Sequence, residues 1–108
     1  MLEPPAPPTP NQERALLEPL TARLIWWQPA EDSLRHPDRV IARVMDIGEY
    51  DAVLRLRREL GDRRLTSVLR KAQAGWFSPR SWTYWHRKLG VTPSGPVPPL
   101  PRRSFTRP

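Results

Sequence analysis

Few residues in this 108-residue chain are suited to covalent chemistry. It has no Cys and only two histidines, His36 and His86. Without thiols there is no disulfide, no thiolate nucleophile and no Cys-based zinc site. His36 precedes Pro37 and reads as a residue leading into a helix. His86 lies beside Trp82 and Trp85 and reads as packed with them. Ser81 and His86 are five apart on one helical stretch, a poor spacing for a nucleophile and its base. No acid follows Asp62 to complete a triad. Phosphate loops, dinucleotide fingerprints and HExxH motifs are absent from the sequence. The expectation is a protein that is not an enzyme, needs no cofactor or metal, has no small-molecule substrate, and acts by binding.

Binding chemistry is easier to find. Residues 1–54 carry five Arg against nine acids, and residues 55–108 carry thirteen basic groups against Glu59 and Asp62. The halves are therefore −4 and +11, and the whole chain +7. Such asymmetry makes one end attractive to polyanions or to acidic protein surfaces. In the acid-free half, Arg80, Tyr84, Arg87 and Lys88 share a side of one helical stretch, with Arg70 and Lys71 nearby in sequence. These six form the candidate contact surface for a protein partner or nucleic acid. The aromatic cluster Trp76, Phe77, Trp82, Tyr84 and Trp85 has the chemistry to stack on unpaired bases. Helical spacing instead places Trp82 and Trp85 with Leu89 in a core, and Trp76 and Phe77 as a hydrophobic staple or plug before the helix. Tyr84, among cations, is the aromatic expected to face a partner.

The elements that must position these residues read as helices. Gly48, Gly61, Gly75 and Gly90 each follow a stretch of helical periodicity, where a left-handed stop is expected. No segment sustains period-two alternation. The fold class is all-α: a compact bundle of about five short helices. A first helix over 11–26, interrupted or kinked at Pro19, offers Leu16, Leu20, Leu24 and Trp27 as its apolar stripe. A second over 37–47 buries Val40, Ile41, Val44, Met45 and Ile47. A third begins near Glu49 and stops at Gly61. A fourth, over 62–73, takes Asp62 as N-cap and Gly75 as stop. The fifth, 79–89, has Ser78 as N-cap and Pro79 at the first helical position. Val44, Leu56, Leu69, Trp82 and Trp85 are the expected core.

Prolines mark the ends, five in residues 1–10 and six in 93–108. Three segments follow: a Pro-rich disordered tail over 1–10, an all-α domain over 11–92, and a Pro/Arg-rich tail over 93–108, with both tails expected to be dispensable for folding. The longest apolar run, Leu24-Ile25-Trp26-Trp27, cannot span a bilayer. The N-terminus lacks the charged start and apolar stretch of a secretory signal. A cytoplasmic location without membrane contact is expected.

Residues 62–89 have the outline of a helix-turn-helix, a short helix, a glycine-containing turn and a helix with early polar residues. In that motif Ser78, Arg80, Ser81 and Tyr84 would meet base edges while Arg87 and Lys88 meet phosphates. Operator DNA is the partner this outline implies.

A second pattern covers roughly residues 26–91. It combines Trp26 or Trp27, Ile41 with Arg43, Val44 and Gly48, and Ser78 with Ser81, Tyr84 and Trp85. This resembles a family of small, largely uncharacterised bacterial helical proteins, whose pattern runs from an early Trp through I-x-R-V-x-x-x-G to S-x-x-[ST]-x-x-[FY]-W. Members are often encoded beside nucleotidyltransferase toxins of the abortive-infection type. The resemblance implies an antitoxin-like partner of such a toxin, the leading expectation; a helix-turn-helix transcriptional regulator is the alternative. Arg43 is expected in a structural salt bridge with Asp46 or Glu49.

Overall fold

The computed structural model of the protein describes residues 9–102. The outermost parts of the two expected tails, 1–8 and 103–108, lie outside the described residues. Within them the chain is all-helical, with α1 over Pro10–Leu24, α2 over Ala30–Leu34, α3 over Pro37–Ile47, α4 over Tyr50–Leu60, α5 over Asp62–Arg70 and α6 over Pro79–Lys88.

The expected boundary at residue 11 falls inside a helix. The Thr9 hydroxyl accepts the Gln12 N–H at 3.1 Å, and the Gln12 side chain accepts the Thr9 N–H at 2.9 Å. This reciprocal capping box, followed by Pro10 at the first helical position, starts α1 earlier than the proline content suggested. Pro19 lies inside α1 without ending it. The carbonyl it leaves unbonded belongs to exposed Ala15, where water can satisfy it. The buried positions of α1 are Leu17 and Thr21, flanked by half-buried Leu16, Leu20 and Leu24. Because α1 stops at Leu24, Trp27 falls outside the helix and is 53% exposed instead of completing that stripe. The short α2, unanticipated in the sequence, starts after Pro29 with Glu31 and Asp32 in its first turn, where acids oppose the helix dipole.

α3 is the central helix and packs against each of the other five. Val40, Ile41, Ala42, Val44 and Met45 are buried, enough of the circumference to meet neighbours on several sides. Ile47, expected in the core, is instead exposed at the last turn. Gly48 is no left-handed stop, since its φ is −64°. It is required for space: a Cβ there would stand 2.5 Å from the Val44 carbonyl oxygen. Gly61 does take positive φ, +85°, and serves as the N-cap of α5, so Asp62 is the first helical residue and not the cap. α5 ends at Arg70, short of the expected 73, and the chain turns through Gly75 with φ +88°.

The start of α6 follows the sequence reading closely. Ser78 Oγ accepts the Ser81 N–H at 3.3 Å. Buried Phe77 sits 5.7 Å from the Trp82 ring, centroid to centroid, forming the staple across the cap. All five expected core residues, Val44, Leu56, Leu69, Trp82 and Trp85, are buried.

Residues 93–102 have no regular secondary structure, but they are not a free tail. Trp82 Nε1 donates to the Pro98 carbonyl at 2.8 Å, and Val97 and Leu100 pack on the core. An indole N–H at the edge of the core needs an acceptor, and this extended segment supplies it. No helix among the described residues is long and apolar enough to cross a membrane.

Candidate functional site

α6 is held to α3 by its inner face, which decides what its outer face presents. Trp85 Nε1 donates to the Met45 carbonyl at 2.9 Å, a buried bond. Asp46 Oδ1 accepts the Ser78 N–H at 3.0 Å and also the Ser81 hydroxyl. The buried His86 ring is edge-on to Trp82, with Nδ1 2.7 Å from the Trp82 carbonyl. A carbonyl only accepts, so Nδ1 carries the proton. His86 is therefore a packed residue.

Turned away from this seam, Arg80, Tyr84, Arg87 and Lys88 are exposed. Tyr84 is 53% exposed and rests edge-on against Trp85, with ring centroids 5.1 Å apart. The Arg87 guanidinium donates to the Thr92 carbonyl at 3.0 Å, which holds it beside the end of α6. Arg70 and Lys71 are exposed where α5 ends. None of these five cations has an ion-pair partner among the described residues; the paired arginines are Arg23, Arg35, Arg55, Arg57 and Arg64. Of these cations, Lys88 interacts electrostatically with the Asp62 carboxylate. Arg57 grips it through two hydrogen bonds at 2.8 and 2.9 Å. That hydrogen bonding, with smaller help from the Arg57 and Lys88 charges, holds the Asp62 carboxyl below its usual range. Asp62 in turn raises Arg57.

For a helix-turn-helix, the geometry departs in two respects. The connection between α5 and α6 spans 71–78, longer than the three or four residues of that motif, and α6 packs on α3. Two of the four expected base readers, Ser78 and Ser81, are engaged by Asp46. That places a carboxylate at the helix end that would approach DNA.

Sequence reasoning missed a second feature entirely. A cleft of about 430 Å³ opens between the α1–α2 connection, α2, the first turns of α3 and the connection after α5. Its polar wall comprises Gln28, Ser33, His36, Arg39, Arg43 and Gln73, and its aromatic wall Trp27 and Trp76. No carboxylate lines it. Arg43 makes no salt bridge with Asp46 or Glu49: its Nε donates to the Leu24 carbonyl at 3.2 Å and its guanidinium lies 5.2 Å from the Trp27 ring centre. Glu49 pairs with Arg23 instead. Ser33 is buried, and its Oγ is the one buried side-chain polar atom without a hydrogen-bond partner among the described residues. Such an orphan costs about 1–3 kcal/mol. The cleft draws on four separate chain segments, so no local spacing announces it. Trp27 reads in the sequence as the end of the α1 stripe, so no local pattern pointed to the cleft.

No group of three or more potential metal ligands occurs among the described residues. Comparison with protein families, with curated proteins and with solved structures finds no match for this chain.

Proposed function

We propose that this chain is a non-catalytic binding protein that uses the outer face of α6 to engage an acidic protein surface, and that its partner is a nucleotidyltransferase-type toxin. The observation that carries the first part is the exposed, unpaired set Arg80, Arg87 and Lys88 around the half-exposed Tyr84. An aromatic ring ringed by cations supplies both the apolar anchor and the steering charge of an interface hot spot. Among the described residues, ion pairs engage Arg23, Arg35, Arg55, Arg57 and Arg64 but none of the α6 cations.

The second part rests on the resemblance. The two motif stretches that carry it meet in space: Asp46 bonds Ser78 and Ser81, and Met45 bonds Trp85. Gly48 lies close against Val44. Three motif residues of α6, Ser78, Ser81 and Trp85, thus build the seam with α3, and Tyr84 is the motif residue of α6 left outside it. A seam that fixes α6 and leaves Tyr84 outward supports the reading of that face as the contact surface.

Co-expression with the product of the neighbouring gene tests this reading. Co-purification of a nucleotidyltransferase, with rescue of growth when that enzyme is toxic, is the expected result. Duplex DNA binding without any protein partner, with affinity falling steeply as salt rises, would place the chain among DNA-binding regulators instead.

A further inference from the structure

We infer that the cleft between the α1–α2 connection and α3 is a binding site for a free mononucleotide, a planar base carrying a phosphate. It is separate in residues from the α6 face.

Four observations converge on this ligand chemistry. The cleft is lined by Arg39 and Arg43, with His36 beside them and no carboxylate, so it favours an anion. Arg39 is exposed and has no ion-pair partner among the described residues, leaving its planar donors available for phosphate. Trp27 lines the same cleft and is 53% exposed, an aromatic surface available for stacking. Ser33 contributes a buried hydroxyl with no partner, a polar group the fold itself does not satisfy.

Size and shape select one nucleotide over a strand. A cleft of about 430 Å³ is within the range of small-molecule sites and is walled by four chain segments. Gln28 and Gln73 add side-chain amides, each donor and acceptor, suited to a base edge. The arrangement assigns the base to the part of the Trp27 indole that Arg43 leaves uncovered, and the phosphate to Arg39 and Arg43. Arg43 is pre-positioned by its bond to the Leu24 carbonyl and its seat over Trp27, so little ordering remains when a ligand arrives.

The full chain titrated with AMP and GMP at low salt, followed by calorimetry and by tryptophan fluorescence, tests the assignment. Saturable binding tighter than about 1 mM is expected for at least one of the two. Trp27→Leu and Arg39→Gln are exposed substitutions, and each is expected to weaken binding by about tenfold or more while the thermal melt stays unchanged. Adenosine and inorganic phosphate, titrated separately, are expected to bind more weakly than AMP. No saturation by either nucleotide overturns the proposal, and so does binding that both variants leave intact. Phosphate alone binding as tightly as AMP overturns the stacking role of Trp27. Binding seen only with single-stranded oligonucleotides makes the cleft a strand-binding surface and overturns the mononucleotide assignment. Since none of these variants touches α6, failure here leaves the partner-binding reading to be judged on its own.

Discussion

Trp85 gives its indole N–H to the backbone carbonyl of Met45 across 2.9 Å of buried core. This bond, with the Asp46 contacts to Ser78 and Ser81, sets the rotation of α6 on α3. Once Trp85 points inward, Arg80, Tyr84, Arg87 and Lys88 face outward. The proposed contact surface is thus a consequence of how the core is filled.

Replacing Trp85 by Ala removes both the ring and the bond, and is expected to cost about 3–5 kcal/mol. For a domain this small that approaches global unfolding. Trp85→Phe keeps most of the volume but leaves the Met45 carbonyl without its donor, for an expected loss of about 1–3 kcal/mol. Chemical denaturation of both variants checks the order.

A chain ending at residue 92 loses the Pro98 carbonyl that satisfies Trp82 and the cover given by Val97 and Leu100. Its melting temperature is expected to fall clearly below that of the full chain, because an indole N–H loses its acceptor and apolar core loses its lid. An unchanged melt in differential scanning calorimetry would mean that the segment contributes nothing.

Arg64 of α5 donates to Glu13 of α1 at 2.8 Å and pairs with Asp38 of α3 at 2.7 Å. Three helices meet on one guanidinium, and these two carboxylates raise its affinity for the proton further. Arg64→Met is expected to cost about 1–2 kcal/mol, since both carboxylates then lose a charge-assisted partner. A urea titration of the variant measures it.

The Arg57–Asp62 pair gives a pH signature. The Asp62 carboxyl is held below its ordinary range, chiefly by the Arg57 hydrogen bond. Its contribution is therefore fully present above the unfolded value near about 4 and is lost as pH falls through the lower folded value. Asp62 is half-exposed at its side chain, so the effect is small. Melts collected across the acid range are expected to show a shallower acid-side decline in Asp62→Asn than in the parent.

The helical class, the core and the cap of α6 were legible in the sequence because each is a local signal. Ser78-Pro79 specifies its own helix start, and Trp82, Trp85 and Leu89 recur at helical spacing. What was not legible depends on distance in the chain. Arg43 was expected to reach a neighbouring acid on α3, yet it binds the Leu24 carbonyl across the α1–α3 contact. Pro98 looked like tail composition until Trp82 needed an acceptor. The cleft joins residues from 25 to 76, and no periodicity within one helix encodes it. Of the six candidate contact residues, Arg80, Tyr84, Arg87 and Lys88 stand together on α6, whereas Arg70 and Lys71 belong to the end of α5.

Arg80→Glu/Arg87→Glu most directly tests the claim that the outer face of α6 is the working surface. Both side chains are exposed, so the variant is expected to melt close to the parent. Its affinity for the proposed nucleotidyltransferase partner, read by surface plasmon resonance, is expected to fall at least about tenfold, mainly through slower association. Parental affinity in a variant that folds normally would contradict the account.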